Sequence, residues 1–237
     1  MATYTTYETM IPEIMQYCHG APTILLLTHI RNAAIKFCEK SFVLKKNPSA
    51  FYLDEDKHTY TLKYEGDRYR ATSIKEARLG EYPDDTALTV VSEHQMDNSL
   101  ALWRTKEGSE PTACFLTDDI NAIRFYPRPN ADSDDELFLD TVVTMKRDQI
   151  EIDSFVYEKW EEVIQAGALA TILVIPKAEW YNRREGAMFS KIWKKGVREA
   201  RATTLKGVGE QAGQVQPQSY IIQGSGNTIK QDSFWGD

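Results

Sequence analysis

The sequence predicts an α+β protein in which helices from both ends of the chain pack together around an inserted β domain. Apolar residues recur at steps of three and four in residues 1–41 and again in residues 153–206, which is typical of amphipathic helices. Between them, in residues 42–152, the period falls to two, which predicts strands. The last 31 residues, 207–237, show neither period and are rich in Gly, Gln and Ser. They are predicted to form an extended arm.

The N-terminal segment is predicted to hold a short helix and a longer one. Pro12 bends or restarts the short helix, and His19–Gly20 breaks it. The longer helix begins at Pro22, because proline suits the first helical position. Its apolar stripe should pack on the C-terminal helices and consists of Ile24, Leu27, Ile30, Ala34, Phe37 and Cys38.

The middle segment is predicted to be an antiparallel sandwich or a barrel-like sheet. Apolar and polar residues alternate in Tyr60–Tyr64 and Ile123–Tyr126, and Leu137–Met145 is a β-branched run. Turn residues, among them Glu65–Asp67 and Pro127–Asp135, separate the strands. Because no helical pattern is evident between these strands, we expect antiparallel neighbours.

The C-terminal segment is predicted to be an antiparallel helical hairpin. Asp153 or Ser154 can cap the first helix and Pro176 ends it, while Asn182 caps the second helix and Gly207 closes it. Small residues should let the two helices approach closely: Gly167, Ala168, Ala170, Gly196 and Ala200.

Composition argues against several classes of protein. The net charge of −7 disfavours a globally basic nucleic-acid binder. Cys18, Cys38 and Cys114 are an odd number of distant cysteines, which favours reduced thiols and a cytoplasmic environment during assembly. The chain shows no pattern of a signal peptide and no apolar run near the ~20 residues of a membrane span, so we expect no membrane anchor.

No catalytic, cofactor-binding or metal-binding residues are predicted, and we expect a protein that is not an enzyme. The four histidines are scattered, and no nucleophile or phosphate-loop motif is present. Acidic clusters could offer oxygen ligands to a hard cation, but aspartate also favours turns. We interpret the clusters as turns and keep a metal-dependent hydrolase as the weaker alternative; they are Asp54–Asp56, Asp84–Asp85, Asp118–Asp119 and Asp132–Glu136.

The last helix is the basic feature of the chain. Residues 179–206 hold eight basic residues against three acidic ones, a local charge of +5. The basic residues are predicted to lie on the face of this helix opposite its apolar residues. That basic face is a solvated surface, a site for an acidic partner, or a wall that faces DNA phosphates. The candidate residues are Arg183, Arg184, Lys191, Lys194, Lys195, Arg198 and Arg201.

The C-terminal arm carries apolar residues in a polar context. Such a segment cannot bury itself well alone, yet tyrosine and tryptophan commonly anchor interfaces. A disordered tail and an arm that orders along a neighbouring subunit both fit, and we favour the arm. Its candidate interface residues are Tyr220, Ile221, Ile222, Ile229, Phe234 and Trp235.

Several stretches, taken in order over about residues 4–205, resemble the head-to-tail adaptor (connector) proteins of tailed bacteriophages. The stretches that carry the resemblance are His19–Pro22, Ile30–Ser41, Thr117–Asp119, Ile123–Pro127, Trp160–Ala170 and Gly196–Arg201. They include no catalytic motif, and the arm lies outside the resemblance.

The resemblance implies a structural protein of the virion neck. Such adaptors form a ring, commonly of twelve copies, between the portal protein and the tail or nozzle protein, and double-stranded DNA passes through the channel. The implied partners are therefore copies of the same chain, the portal, the tail and the DNA. A DNA-binding or packaging accessory protein that uses the basic helix is the alternative.

Overall fold

The computed structural model describes residues 3–55, 57–80, 85–99 and 103–206. The chain opens with strand β1 (Tyr4–Thr6) and a 3-10 turn, which lead into helix α1 (Ile11–Met15) and helix α2 (Thr23–Ser41). Pro12 lies in the first turn of α1, and Gly20 adopts a left-handed φ of 78° in the break that follows. The two predicted helices are confirmed.

A series of strands, most of them short, and one short α-helix follow α2. In chain order they are β2 (Lys45–Lys46), β3 (Phe51–Tyr52), β4 (Tyr60–Thr61), β5 (Tyr69–Leu79), β6 (Thr86–Ala87), β7 (Thr89–Val90), α3 (Glu93–Ser99), β8 (Glu107–Gly108), β9 (Ala113–Leu116), β10 (Ala122–Tyr126), β11 (Arg128–Pro129), β12 (Glu136–Met145) and β13 (Glu151–Asp153). The long helices α4 (Ser154–Ile172) and α5 (Arg183–Lys206) complete the order, so the protein is α+β as predicted.

The strands form two main sheets and two ribbons. Long strands β5 and β12 pair antiparallel at the centre of the first sheet, with β6 beside β5 and with β2 and β3 on the other side of β12. The second sheet has the order β4-β10-β9-β7. Strand β1 pairs antiparallel with β13, and β8 pairs with β11.

The expectation of purely antiparallel pairing is wrong at two ladders. Strands β7 and β9 pair in parallel, as do β8 and β11. Parallel neighbours need a crossover connection, and the segment that contains α3 supplies it between β7 and β9. In the part of the chain that the structure describes, the sheets do not close into a barrel.

The hydrophobic core runs without interruption from the helices into the sheets. Phe37 of α2 belongs to the same buried cluster as Tyr60 and Val143, and Thr144 Oγ1 donates to the Ile35 carbonyl at 3.3 Å. In a small second cluster, Met96 of α3 packs with Trp103 and Phe115. The division at residues 41, 152 and 206 into a bundle, an inserted domain and an arm stays a prediction, and residues 207–237 lie outside the described part.

Helix α4 starts where the sequence predicted. Asp153 Oδ1 accepts a hydrogen bond from the Phe155 N–H at 3.1 Å, which satisfies a free donor of the first turn. The same carboxylate pairs with Lys46 Nζ at 2.9 Å and accepts from the Tyr69 hydroxyl at 3.1 Å. Asp153 therefore ties the start of α4 to β2 and β5.

The C-terminal hairpin is antiparallel, as predicted. Gly167 of α4 faces Trp193 of α5, and Gly196 of α5 faces Val163 of α4, so the partners run in opposite directions. Helix α4 ends at Ile172, earlier than Pro176 alone would require, because the chain turns at residues 173–175. The Phe37 ring of α2 lies 5.6 Å from Trp160 and 6.0 Å from Trp193, which joins α2 to both helices.

Candidate interaction surface

The basic residues of α5 line one face of the helix, and all seven predicted candidates are exposed. At about 100° per residue they fall within an arc of about 120°. The buried residues Phe189, Gly196 and Ala200 lie on the opposite side. We call this surface the basic stripe; it consists of Arg183, Arg184, Lys191, Lys194, Lys195, Arg198 and Arg201.

Close packing against α4 fixes the position of the stripe. A Cβ atom at Gly196 would lie 2.6 Å from Val163 Cγ1, and one at Gly167 would lie 2.5 Å from Trp193 Cε3. Both glycines therefore allow a backbone approach that a larger residue would block. Asn182 Oδ1 accepts from the Glu185 N–H at 3.2 Å and caps α5. The charged side chains project from a backbone that is held along its length.

Few partners among the described residues neutralise the stripe. Lys195 lies 3.6 Å from Glu199, and the Arg201 guanidinium lies 4.9 Å from the centre of the Phe42 ring. Arg198 Nε donates to the Lys194 carbonyl at 3.2 Å. The remaining stripe residues, Arg183, Arg184, Lys191 and Lys194, have no carboxylate within 4 Å among the described residues.

The first two residues of the stripe interact unfavourably with the dipole of α5. Arg183 and Arg184 occupy the first turn of α5, where the positive end of the helix dipole disfavours cations. Glu185 has the favourable sign at this end. Helix stability therefore does not explain the two arginines.

The stripe suits phosphates or carboxylates better than nucleic-acid bases. Its seven members are all Lys or Arg, and the two aromatic residues of α5 face inward. Phe189 is buried, and Trp193 packs against Gly167. A platform for single-stranded nucleic acid needs exposed rings between its charges, so the stripe offers electrostatic contact without stacking.

The predicted acidic turns are tied into local contacts. Asp54 pairs with Lys57 at 2.5 Å, and Asp85 pairs with Arg78 at 3.0 Å. Asp132 Oδ1 accepts from the Glu55 N–H at 2.7 Å. Within the described ranges, no group of three or more His, Cys, Asp or Glu residues gathers in a way that could hold a metal. Asp56 and Asp84 lie outside those ranges.

A cavity of about 540 Å³ lies beside the acidic turn between β9 and β10. Its lining includes Asp118, Asp119, Glu39 and Arg70. Asn121 anchors the turn with φ of 58°, accepting from the Ala71 N–H and donating to the Tyr69 carbonyl. The position of these carboxylates is therefore explained by the turn, as the sequence analysis favoured.

The cysteines and the arm complete the sequence-predicted features. Cys18, Cys38 and Cys114 are buried free thiols. Burial raises the pKa of Cys18 to about 11 and that of Cys114 to about 12. The six candidate interface residues of the arm, Tyr220, Ile221, Ile222, Ile229, Phe234 and Trp235, lie outside the described residues, and their role stays a prediction.

Sequence reasoning missed one site. Tyr7 and Arg31 line a small cavity between the 3-10 turn and α2. The lining comes from three separate parts of the chain, residues 6–8, Leu27 with Arg31, and Ile150, and no motif connects them.

Comparison with known proteins assigns no family. No family model matches the chain, and no curated protein matches it. Among the described helices, none is long and apolar enough to cross a membrane.

Proposed function

We propose that the chain is a structural protein of a phage virion, a ring-forming adaptor that connects the portal to the tail and lines part of the DNA channel. The observation that carries the proposal is the basic stripe, an exposed surface of seven cations in a chain of net charge −7, most of which have no acidic partner in the described part of the structure. The resemblance of residues 4–205 to head-to-tail adaptors gives this surface its context.

The physical properties of the stripe support a wall that passing DNA can slide along. Phosphate contacts by Lys and Arg are independent of base sequence, and the stripe has no groups arranged to select bases. A subunit ring would bring many stripes around one channel, since a heterologous contact that closes by rotation makes a ring. The acidic remainder of the chain would leave the outer surface free of DNA.

Electron imaging of the full chain, alone and mixed with the portal protein of the same phage, tests the adaptor function. We expect closed rings that stack coaxially on the portal. A chain that stays monomeric at every concentration tested and does not bind the portal would contradict the proposal.

A DNA-binding accessory protein is the second candidate, since the same stripe could bind duplex DNA in a monomer. For Z neutralised phosphates the logarithm of the binding constant falls with the logarithm of salt concentration with a slope of about −0.9Z. Monomeric chain that binds duplex DNA tightly at low salt, with a slope matching several contacts, would favour this candidate over the adaptor.

For both candidate functions, the contribution of the basic stripe to DNA binding can be tested against a matched control variant. The triple change K191Q/K194Q/R198Q removes three stripe cations and should reduce the salt slope by about 3 if each contacts a phosphate. The control K40Q/K45Q/K63Q removes three exposed cations elsewhere and keeps the net charge equal to that of the stripe variant. Equal losses of DNA binding in both variants would show that net charge, rather than the stripe, governs binding.

A further inference from the structure

Strand β4 forms an edge of the second main sheet. It is the first strand in the order β4-β10-β9-β7, so β10 is its neighbour on one side only. Thr61 lies opposite Ala122, and the adjacent Leu62 N–H donates to the Asn121 carbonyl at 2.7 Å. Hydrogen-bonded and non-hydrogen-bonded pairs alternate along an antiparallel ladder. The amide and carbonyl of Thr61 therefore point away from β10.

The outward backbone groups of this edge have no hydrogen-bond partner among the described residues. This holds for the amide and carbonyl of Thr61 and also for those of Thr59, two residues earlier. Both residues line a cavity of about 580 Å³, and residues 49–52 contribute to the same lining. Thr61 is exposed. An edge with unpaired groups beside open space is a template for a further strand.

Aromatic side chains lie along the same cavity. The rings of Phe51 and Tyr60 stack with their centres 5.4 Å apart, and Tyr52 is 54% exposed. In strand addition, main-chain hydrogen bonds provide affinity and alternate side chains provide specificity. Aromatic and β-branched neighbours stabilise each other across strands. The surface therefore suits an extended segment of such residues.

The arm contains a segment with these properties, Ser219–Gln223. Its three central residues are one tyrosine and two isoleucines, which are types enriched in strands. Pro217 and Gly224 delimit it, since both residue types disfavour the interior of a strand. No charged residue occurs from position 211 to position 229, so pairing at the edge would not bury a charge.

The arm is long enough to deliver this segment to another copy of the chain. Tyr220 lies 14 residues beyond Lys206, a distance of up to about 50 Å when extended. A compact chain of the preceding length has a radius of gyration of only about 17 Å. The segment can therefore reach across the surface of an adjoining copy.

We propose that residues 219–223 of one copy add a strand to the β4 edge of a neighbouring copy. The main chain of the segment pairs with Thr59 and Thr61, and alternate side chains pack towards Phe51 and Tyr52. The inference rests on the proposed ring, because a contact in which each copy gives its arm to the next is heterologous and can close by rotation.

Cysteine cross-linking in the full chain tests the proposal. Chains with Thr61→Cys and chains with one cysteine at each position from Ser219 to Gln223 are purified separately, mixed and mildly oxidised. Paired strands bring opposite Cα atoms within disulfide reach. We expect linked pairs at alternate positions of the segment, since successive side chains of a strand point to opposite faces. The three native thiols are buried and should give no background.

Thr86→Cys serves as the matched control, because Thr86 is an exposed threonine on β6, an edge strand of the first sheet. We expect several-fold less linked product with this variant. Equal product in both mixtures, or no product with Thr61→Cys, would overturn the proposal. Equal linkage at all five positions would overturn the strand geometry. A chain that carries both changes and links only within itself would overturn the assignment to a neighbouring copy.

Electron imaging of the same mixtures separates this proposal from the adaptor function. Closed rings without linkage would overturn strand addition and leave the adaptor function intact. Linked pairs without closed rings would support strand addition and contradict the ring.

Discussion

At the scale of single residues, the three cysteines show how burial controls chemistry. Each thiol is fully buried, and desolvation disfavours the thiolate, which is the reactive form. We expect the native chain not to react with a thiol-specific chromogenic disulfide reagent near pH 8. After denaturation, reaction of the three cysteines should release three equivalents of the coloured thiolate. Rapid reaction of one thiol in the native chain would place that side chain at the surface and contradict the packing described above.

His29 links α2 to α4 and makes stability depend on pH. Its Nδ1 lies 2.8 Å from Thr171 Oγ1, and burial followed by the charge of Lys36 lowers its pKa. The unfolded chain therefore binds a proton at a higher pH than the folded chain does, so stability should fall as the pH drops below the unfolded value of about 6.5.

The measurement for His29 is the thermal midpoint as a function of pH, in the unmodified chain and in His29→Gln. Glutamine can still bond Thr171 but does not titrate, so the variant should lose part of the acid-side decrease. If the two curves stay parallel between about pH 5 and pH 8, protonation of His29 does not contribute to that decrease.

At the scale of elements, the contact between α4 and α5 depends on glycine. Gly196→Ala would gain helix propensity of up to about 1 kcal/mol, but the new methyl group overlaps Val163. Overpacking costs about 1–3 kcal/mol, so we expect a net loss of about 1 kcal/mol in the free energy of unfolding, measured by urea denaturation.

Two further variants separate the gain in helix propensity at Gly196 from the cost of overpacking against Val163. Ala202 is exposed in the same helix, so Ala202→Gly measures the propensity term alone. Adding Val163→Ala to Gly196→Ala removes the overlapping methyl groups and should recover part of the loss. A Gly196→Ala variant more stable than the unmodified chain would show that the helices can move apart at no cost.

The first turn of α5 offers a second test at this scale. Because Arg183 and Arg184 lie at the positive end of the helix dipole, replacing each with Gln should raise the free energy of unfolding by about 0.3–1 kcal/mol at low salt. Binding to duplex DNA should weaken in the same variants if the stripe contacts phosphate. Lower stability in both variants, measured by urea denaturation, would mean that the two arginines stabilise the fold instead.

The long helices were predictable because the sequence signals that define them, caps and an apolar period, lie within or next to each helix. Asp153 and Asn182 cap the helices that follow them, and the 3.6-residue period alone brings the seven basic residues to one face. The extended strand at Tyr4–Thr6 escaped prediction because its partner, Glu151–Asp153, is distant in the sequence. Helix α3 has a polar, mostly exposed surface, so it lacks the apolar stripe that identifies a helix. The cavity at Tyr7 also depends on distant segments.

At the scale of the whole molecule, the core couples helices and sheets into one buried cluster. Ile14 near the N-terminus, Leu137 in the central sheet and Ala200 near the end of α5 all belong to it. The described helices and sheets therefore share one core. We predict that this core folds without residues 207–237, so that the contribution of the arm to folding can be separated from its contribution to assembly.

Truncation after Lys206 makes this separation testable. We expect the shortened chain to keep the thermal midpoint of the full chain to within a few degrees, because the described residues up to Lys206 already form one large buried cluster. If the chain assembles through the arm as proposed, ring formation or portal binding should be lost, since candidate interface residues such as Tyr220 and Trp235 are removed. Analytical ultracentrifugation measures the ring, and electron imaging with the portal measures the complex.

A milder variant, Tyr220→Ser with Trp235→Ser, should weaken assembly without shortening the chain. Full assembly by the truncated chain would restrict the adaptor interface to residues 1–206 and remove the arm from it.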